Sequence, residues 1–91
     1  MNAPTAATPD SNVVFTRFDE VSGALLHLRT KRYYTLNETG CRVWELIQET
    51  SELGRVAEVL HEEYEVELDE VTSFVQKFLR KLHAEGLVVL S

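Results

Sequence analysis

Ninety-one residues, 44% hydrophobic and 26% charged, with nine basic and fifteen acidic side chains and a net charge of −6, have the composition of one soluble globular domain. No apolar run approaches the roughly 18 residues that cross a membrane, and the first twelve residues lack the basic start and apolar stretch of a secretory signal. A single cysteine, Cys41, excludes an internal disulfide and fits a cytoplasmic protein.

Residues 1–12 are Ala, Thr, Pro, Ser and Asn with almost nothing to bury, which predicts a disordered arm ahead of a domain spanning 13–91. Val13 to Phe18 is β-branched and aromatic and predicts a strand. Gly23 to Arg29 predicts a second, with Leu26 and Leu28 at period-2 spacing, and Arg32 to Leu36 a third across a tight Thr30-Lys31 turn. Asn37 has the character of a helix N-cap, with Glu38 at the positive helix end. The first helix is expected to run to Glu49, burying Val43, Trp44 and Ile47.

Ser51 is the expected cap of a second helix, which places Leu53, Val56, Ala57 and Leu60 at i, i+3, i+4, i+7 and ends near Tyr64. Asp69 is the expected cap of a third, from Glu70 to Glu85, with Gly86 as its stop and a short strand over Leu87 to Leu90. Three strands followed by three helices predict an α+β fold. A three-stranded antiparallel sheet lies on a helical cluster that resembles a winged helix.

Charge divides the chain. Residues 13–36 carry four basic and two acidic side chains, residues 37–70 two basic and eleven acidic, and residues 71–91 three basic and one acidic. The acidic middle repels nucleic acid, and the flanking segments suit an acidic partner.

No catalytic cluster stands out. His27, His61 and His83 are scattered, and His61 beside Glu62 and Glu63 lacks the helical spacing of a metal site. Cys41 has no base beside it in the pattern and reads as a small buried thiol. The four glycines never cluster into a phosphate loop, and the acidic run from Glu62 to Glu70 lacks the spacing of a calcium loop. The residues call for no metal and no cofactor.

Two features point instead to binding. The third strand closes the hairpin, so it lies at or next to a sheet edge, where unpaired N–H and C=O groups can accept a peptide as an added strand. On the third helix, Val71, Val75, Phe78 and Leu82 centre the apolar face, with Leu79 on one margin and Phe74 on the other beside Lys77 and Lys81. That arrangement suits a groove with an apolar floor and a basic rim. The competing reading is plain core packing with solvated lysines.

The segments GALLHLRTKRYYTLNETGCRVWEL and FVQKFLRKLHAEGLV resemble the PqqD family, whose modules are also called recognition elements for ribosomally synthesised and post-translationally modified peptides, or RiPPs. The family pattern is met by Tyr34, Leu36, Asn37, Gly40, Val43 and Trp44, and its closing part by Leu82, Gly86, Leu87 and Val88. The likeness covers residues 13–90. It implies a non-catalytic module that captures the leader segment of a precursor peptide as an extra strand beside the third strand, in a groove against the third helix. The residues it assigns to peptide binding are Leu26, Leu28, Arg32, Tyr33, Tyr34, Thr35, Leu36, Phe74, Val75, Lys77, Phe78 and Lys81. Which of the two tyrosines faces the groove is not set by the pattern, because a one-residue slip exchanges them.

Within the family the chain is most similar to the free-standing recognition proteins of lasso-peptide biosynthesis, which implies a separate leader peptidase as partner. One alternative is a PqqD-type chaperone delivering its peptide to a radical-SAM enzyme. Another is a winged-helix DNA binder using Lys77, Arg80 and Lys81. The net negative charge and the C-terminal position of those residues on the helix oppose the DNA reading.

Overall fold

The computed structural model describes residues 4–91. The elements in chain order are β1 (Ala7–Pro9), β2 (Val13–Arg17), β3 (Ser22–His27), β4 (Tyr33–Asn37), α1 (Glu38–Glu49), α2 (Leu53–Tyr64), α3 (Leu68–Ala84) and β5 (Val88–Leu90). β2, β3 and β4 form an antiparallel sheet in that order, and β1 pairs with β5 in a second, two-stranded sheet. The three-stranded sheet followed by three helices is therefore present, with a small additional sheet.

Alternation along the strands sets the two faces of the main sheet. Phe15, Leu25 and Tyr34 lie opposite one another across the three strands and face the helices; Val14, Leu26 and Tyr33 form the next row on the opposite face. The β3–β4 turn puts Lys31 in the left-handed region, φ +66°. His27 Nδ1 stands 3.3 Å from the turn amides of Arg29 and Thr30, which donate to it.

Asn37 ends β4 and caps α1 with no linker between them. Its Oδ1 accepts from the Gly40 N–H at 2.9 Å, satisfying one of the free donors of the first turn. α1 then buries Cys41, Val43, Trp44, Leu46 and Ile47 against the sheet, α2 and β1. Trp44 is the largest fully buried side chain, and its indole N–H meets no acceptor among the described residues. Burying about 150–250 Å² of ring at ~25 cal/mol per Å² outweighs the ~1–3 kcal/mol of an unmade bond.

Three sequence expectations are corrected. Residues 4–12 are not a free arm; residues 1–3 lie outside the described residues. Ala7 is buried, Thr5 and Ala6 donate to the Ser91 carbonyl, Leu53 donates to Thr5, and Gln76 Nε2 donates to the Pro4 carbonyl at 3.0 Å. Ser51 does not cap α2. Its carbonyl accepts from Ala7, and the N-cap is Glu52, with no side-chain bond. α3 begins two residues earlier than expected: Glu67 is the N-cap and Asp69 lies in the first turn, where its charge meets the helix dipole. The expected stop at Gly86 is present. Gly86 sits at φ +75°, its N–H reaching the His83 carbonyl and that of Leu87 reaching Leu82, which closes a Schellman motif.

A chain starting at Asp10 is expected to lose on the order of 2 kcal/mol, because it forfeits several net-favourable backbone bonds. Asn37→Ala is expected to cost about 1 kcal/mol and Trp44→Ala about 3–5 kcal/mol. Urea denaturation followed by circular dichroism measures all three, and an unchanged midpoint for the truncated chain would contradict the role given to β1.

Candidate functional site

β4 is an edge strand, and its free edge runs beside α3. The His27 N–H donates to the Arg32 carbonyl at 2.9 Å, which makes 27 and 32 a hydrogen-bonded pair. Bonded and non-bonded pairs alternate in an antiparallel ladder. Tyr34 and Leu36 therefore point their backbone groups at β3, while Tyr33 and Thr35 point theirs away from it. No other strand takes up that edge among the described residues.

Between this edge and α3 lies a groove of about 210 Å³ lined by Tyr34, Thr35, Leu36, Asn37, Phe74, Phe78 and Lys81. Phe74 and Phe78, one turn apart, stack with centroids 5.7 Å apart and planes 8° from parallel, and form its helical wall. The wall comes close to the strand because position 40 is glycine. A Cβ there would stand 3.2 Å from the Phe78 ring, 3.3 Å from Asn37 Oδ1 and 3.4 Å from Leu36 Cβ. Gly40 thus lets strand end, helix start and α3 meet at one point.

Several of the expected peptide-binding residues come together here: Tyr34, Thr35, Leu36, Phe74, Phe78 and Lys81. Tyr34, half-buried, faces the groove, so register decides between the two tyrosines. Tyr33 turns only its backbone groups to the free edge, since its side chain projects from the opposite face of the sheet with that of Leu26; Leu28 lies in the turn after β3 and does not line the groove. Val75 is 1% exposed and belongs to the core between helices, since it points along the axis of the apolar face rather than its margin. Lys77 is exposed and does not line the groove. Arg32 lies at the far end, its Nη2 3.6 Å from Glu85 Oε2, over a small recess shared with His27, Tyr33, Tyr34 and Leu87.

The sequence did not reveal a larger cavity on the other side of Phe74. It measures about 420 Å³ and is lined by Thr39, Leu60, Tyr64, Val66, Glu70, Val71 and Phe74. Phe74 lines both spaces and so divides them. Arg42 of α1 holds the end of α2 by paired bonds to Glu63 at 2.8 and 2.6 Å, which keeps Tyr64 beside this cavity. The Arg42 bond holds the Glu63 carboxyl below its ordinary value. The pair's contribution is complete above the ordinary carboxylate range and fades as pH falls through that lowered value. Burial pushes the Tyr64 phenol up, so it stays neutral.

Among the described residues no three His, Cys, Asp or Glu side chains come together as metal ligands. No described helix is long and apolar enough to cross a membrane. Cys41 is fully buried and burial pushes its thiol up, away from the thiolate a nucleophile needs.

The pattern of the family described as Coenzyme PQQ synthesis protein D (PqqD) matches residues 23–88. Two solved structures are similar over most of the chain. One is TbiB1 in complex with the TbiA(beta) leader peptide: 30% identity, TM-score 0.83, covering 89% of this chain and 93% of that one. The other is a lasso peptide synthetase B1 complexed with the leader peptide: 21% identity, TM-score 0.82, covering 92% and 98%. No curated protein sequence matches.

Because its thiol is buried, Cys41 is expected to stay unlabelled by iodoacetamide at about pH 8 and to react once denatured. Mass spectrometry of both samples checks this; labelling of the folded chain at the rate of a free thiol would contradict it.

Proposed function

This chain belongs to the PqqD family, and from that premise we propose that it is a non-catalytic protein that captures the leader segment of a ribosomally made precursor peptide. The leader adds as a strand along β4, and the loaded protein presents it in the cytoplasm to a separate maturation enzyme, the leader peptidase of a lasso-peptide pathway. The observation that carries this reading is an unpaired strand edge bordering an apolar groove built by Phe74 and Phe78. The leader bound by TbiB1, a protein 30% identical to this one, supports it.

The chemistry divides simply. Tyr33 and Thr35 offer backbone donors and acceptors to any extended segment, which gives affinity without sequence preference. Phe74, Phe78, Tyr34 and Leu36 receive apolar leader side chains, which gives specificity. Lys81 on the helical rim, with Lys77 a turn away, attracts leader carboxylates. Arg32 does the same at the far end once it exchanges Glu85 for the ligand.

Delivery to a radical-SAM enzyme shares the capture step and differs only in which enzyme receives the peptide. The family takes its name from a PQQ synthesis protein, which keeps this as the second reading.

The test is an NMR titration of labelled protein with a synthetic leader taken from a small open reading frame beside its gene. The Tyr33 and Thr35 amides are expected to exchange rapidly in the free protein and to become protected on binding. Phe74→Ala is expected to weaken binding about tenfold, as loss of a central aromatic contact does, and Lys81→Glu to weaken it by a smaller factor. Affinity is expected to change only mildly between low and high salt, whereas binding through phosphates would lose roughly 10³-fold or more. Unprotected Tyr33 and Thr35 amides at saturating leader would overturn strand addition.

A further inference from the structure

Residues 61–70, between Leu60 and Val71, include no buried side chain. Tyr64, Val66 and Glu70 of that stretch nonetheless form one side of the cavity of about 420 Å³ beyond Phe74, with Thr39 and Phe74 across from them. Core packing does not hold this side in place, and a helix end with few buried apolar contacts opens readily. Glu65, the C-cap of α2, also takes the left-handed conformation, φ +54°, which is uncommon for a residue other than glycine.

Two polar contacts hold the stretch instead. His61 Nδ1 meets the Val66 carbonyl across the end of α2. The Arg42 guanidinium grips both carboxylate oxygens of Glu63, a planar fork on a planar acceptor that fixes orientation as well as distance. Arg42 is itself steadied from α1, where Glu45 stands 3.5 Å from its Nη1. Glu45 pairs in turn with Arg17 at 2.8 Å, and Arg17 donates to the carbonyls of Asp19 and Glu20. A chain of ion pairs thus runs from the β2–β3 turn across α1 to the last turn of α2.

We propose that Arg42 is a positioning residue for leader capture: its clasp on Glu63 keeps the Tyr64 side of the cavity formed in the free protein, ready for the part of the leader that runs past the end of β4. The inference rests on the capture reading above. Its first support is continuity. The groove reaches Asn37 and the cavity reaches Thr39, with Phe74 lining both, so a strand laid along β4 and continued past Asn37 passes from one into the other. The second support is the absence of any buried anchor in 61–70. Without the clasp, the leader would have to order that stretch as it bound, and such ordering is subtracted from affinity.

Arg42→Met and Glu63→Gln each remove the clasp; Glu63 is exposed, so Glu63→Gln carries the test where Arg42→Met costs too much stability. Two ligands separate positioning from general stability. One is the full leader from the small open reading frame beside the gene. The other is the same leader trimmed from each end in turn to the shortest segment that still protects the Tyr33 and Thr35 amides. Fluorescence anisotropy gives the affinities, and urea midpoints establish that each variant is folded. Wild type is expected to hold the full leader at least about tenfold more tightly than the trimmed one. Each variant is expected to lose about fivefold or more for the full leader while staying within about twofold of wild type for the trimmed one. The double variant is expected to lose no more than either single, because both break the same pair.

Unchanged full-leader affinity in both variants, or the same loss for both ligands, would overturn the positioning role and leave the capture reading standing. Equal wild-type affinity for the two ligands would put the cavity outside the leader's path and overturn it as well. A wild-type chain that binds no leader would remove the capture reading and this inference with it.

Discussion

The groove depends on the close approach of α3 to the point where β4 becomes α1. Gly40, the Phe78 ring, Asn37 Oδ1 and the Leu36 Cβ meet there, so closely that a Cβ at 40 would stand only 3.2–3.4 Å from the other three. Asn37 turns the chain from strand to helix without a linker, and Gly40 keeps the first turn thin enough for an aromatic ring to rest on it. A larger residue at 40 would require the Phe78 ring, the Asn37 cap or Leu36 to give way by a few tenths of an ångström. The one string in which strand, cap, glycine and Trp44 follow at fixed spacing is the string this contact needs.

Rigidity is distributed to serve that contact. Val75, Leu79 and Leu82 anchor α3 in the core while Phe74 and Phe78 stand at its margin. The Schellman motif ends α3 and returns the chain as β5, which β1 then covers. Residues 4–9 thereby hold down both the last strand and, through Gln76, the middle of α3. The sheet edge is left open while the helix beside it is fixed from behind, so a peptide meets one preformed wall and one unpaired strand.

How much of this is legible in the sequence depends on the range of the interaction. The three strands, the Asn37 cap and the Gly86 stop are set by neighbours a few residues away, and they are found where local chemistry puts them. β1 is not legible, because Ala-Thr-Pro has no strand character of its own and its partner lies some eighty residues on. Ser51 and Asp69 have the right chemistry for caps, but β1 occupies the first backbone and the helix starts earlier at the second. The roles of Tyr33 and Tyr34 follow only from register, which pairs Leu25 with Tyr34 and so turns that ring toward the core side. The cavity beyond Phe74 joins Thr39, Tyr64 and Val66 from separate segments, and no periodicity announces it.

The exposed edge is short, and that shapes what any ligand must provide. Tyr33 and Thr35 offer four backbone groups, which at ~0.5–1.5 kcal/mol net apiece contribute roughly 2–6 kcal/mol. Micromolar affinity requires about 8 kcal/mol, beyond the cost of ordering an extended peptide. Strand addition alone therefore cannot hold a leader, and the balance has to come from side chains that bury apolar area against Phe74 and Phe78. The same arithmetic protects the free protein: a second copy of β4 pairing edge to edge would gain the backbone bonds but bring no side chains that fit the groove. An open edge is tolerable here because it is too short to bind without the wall beside it.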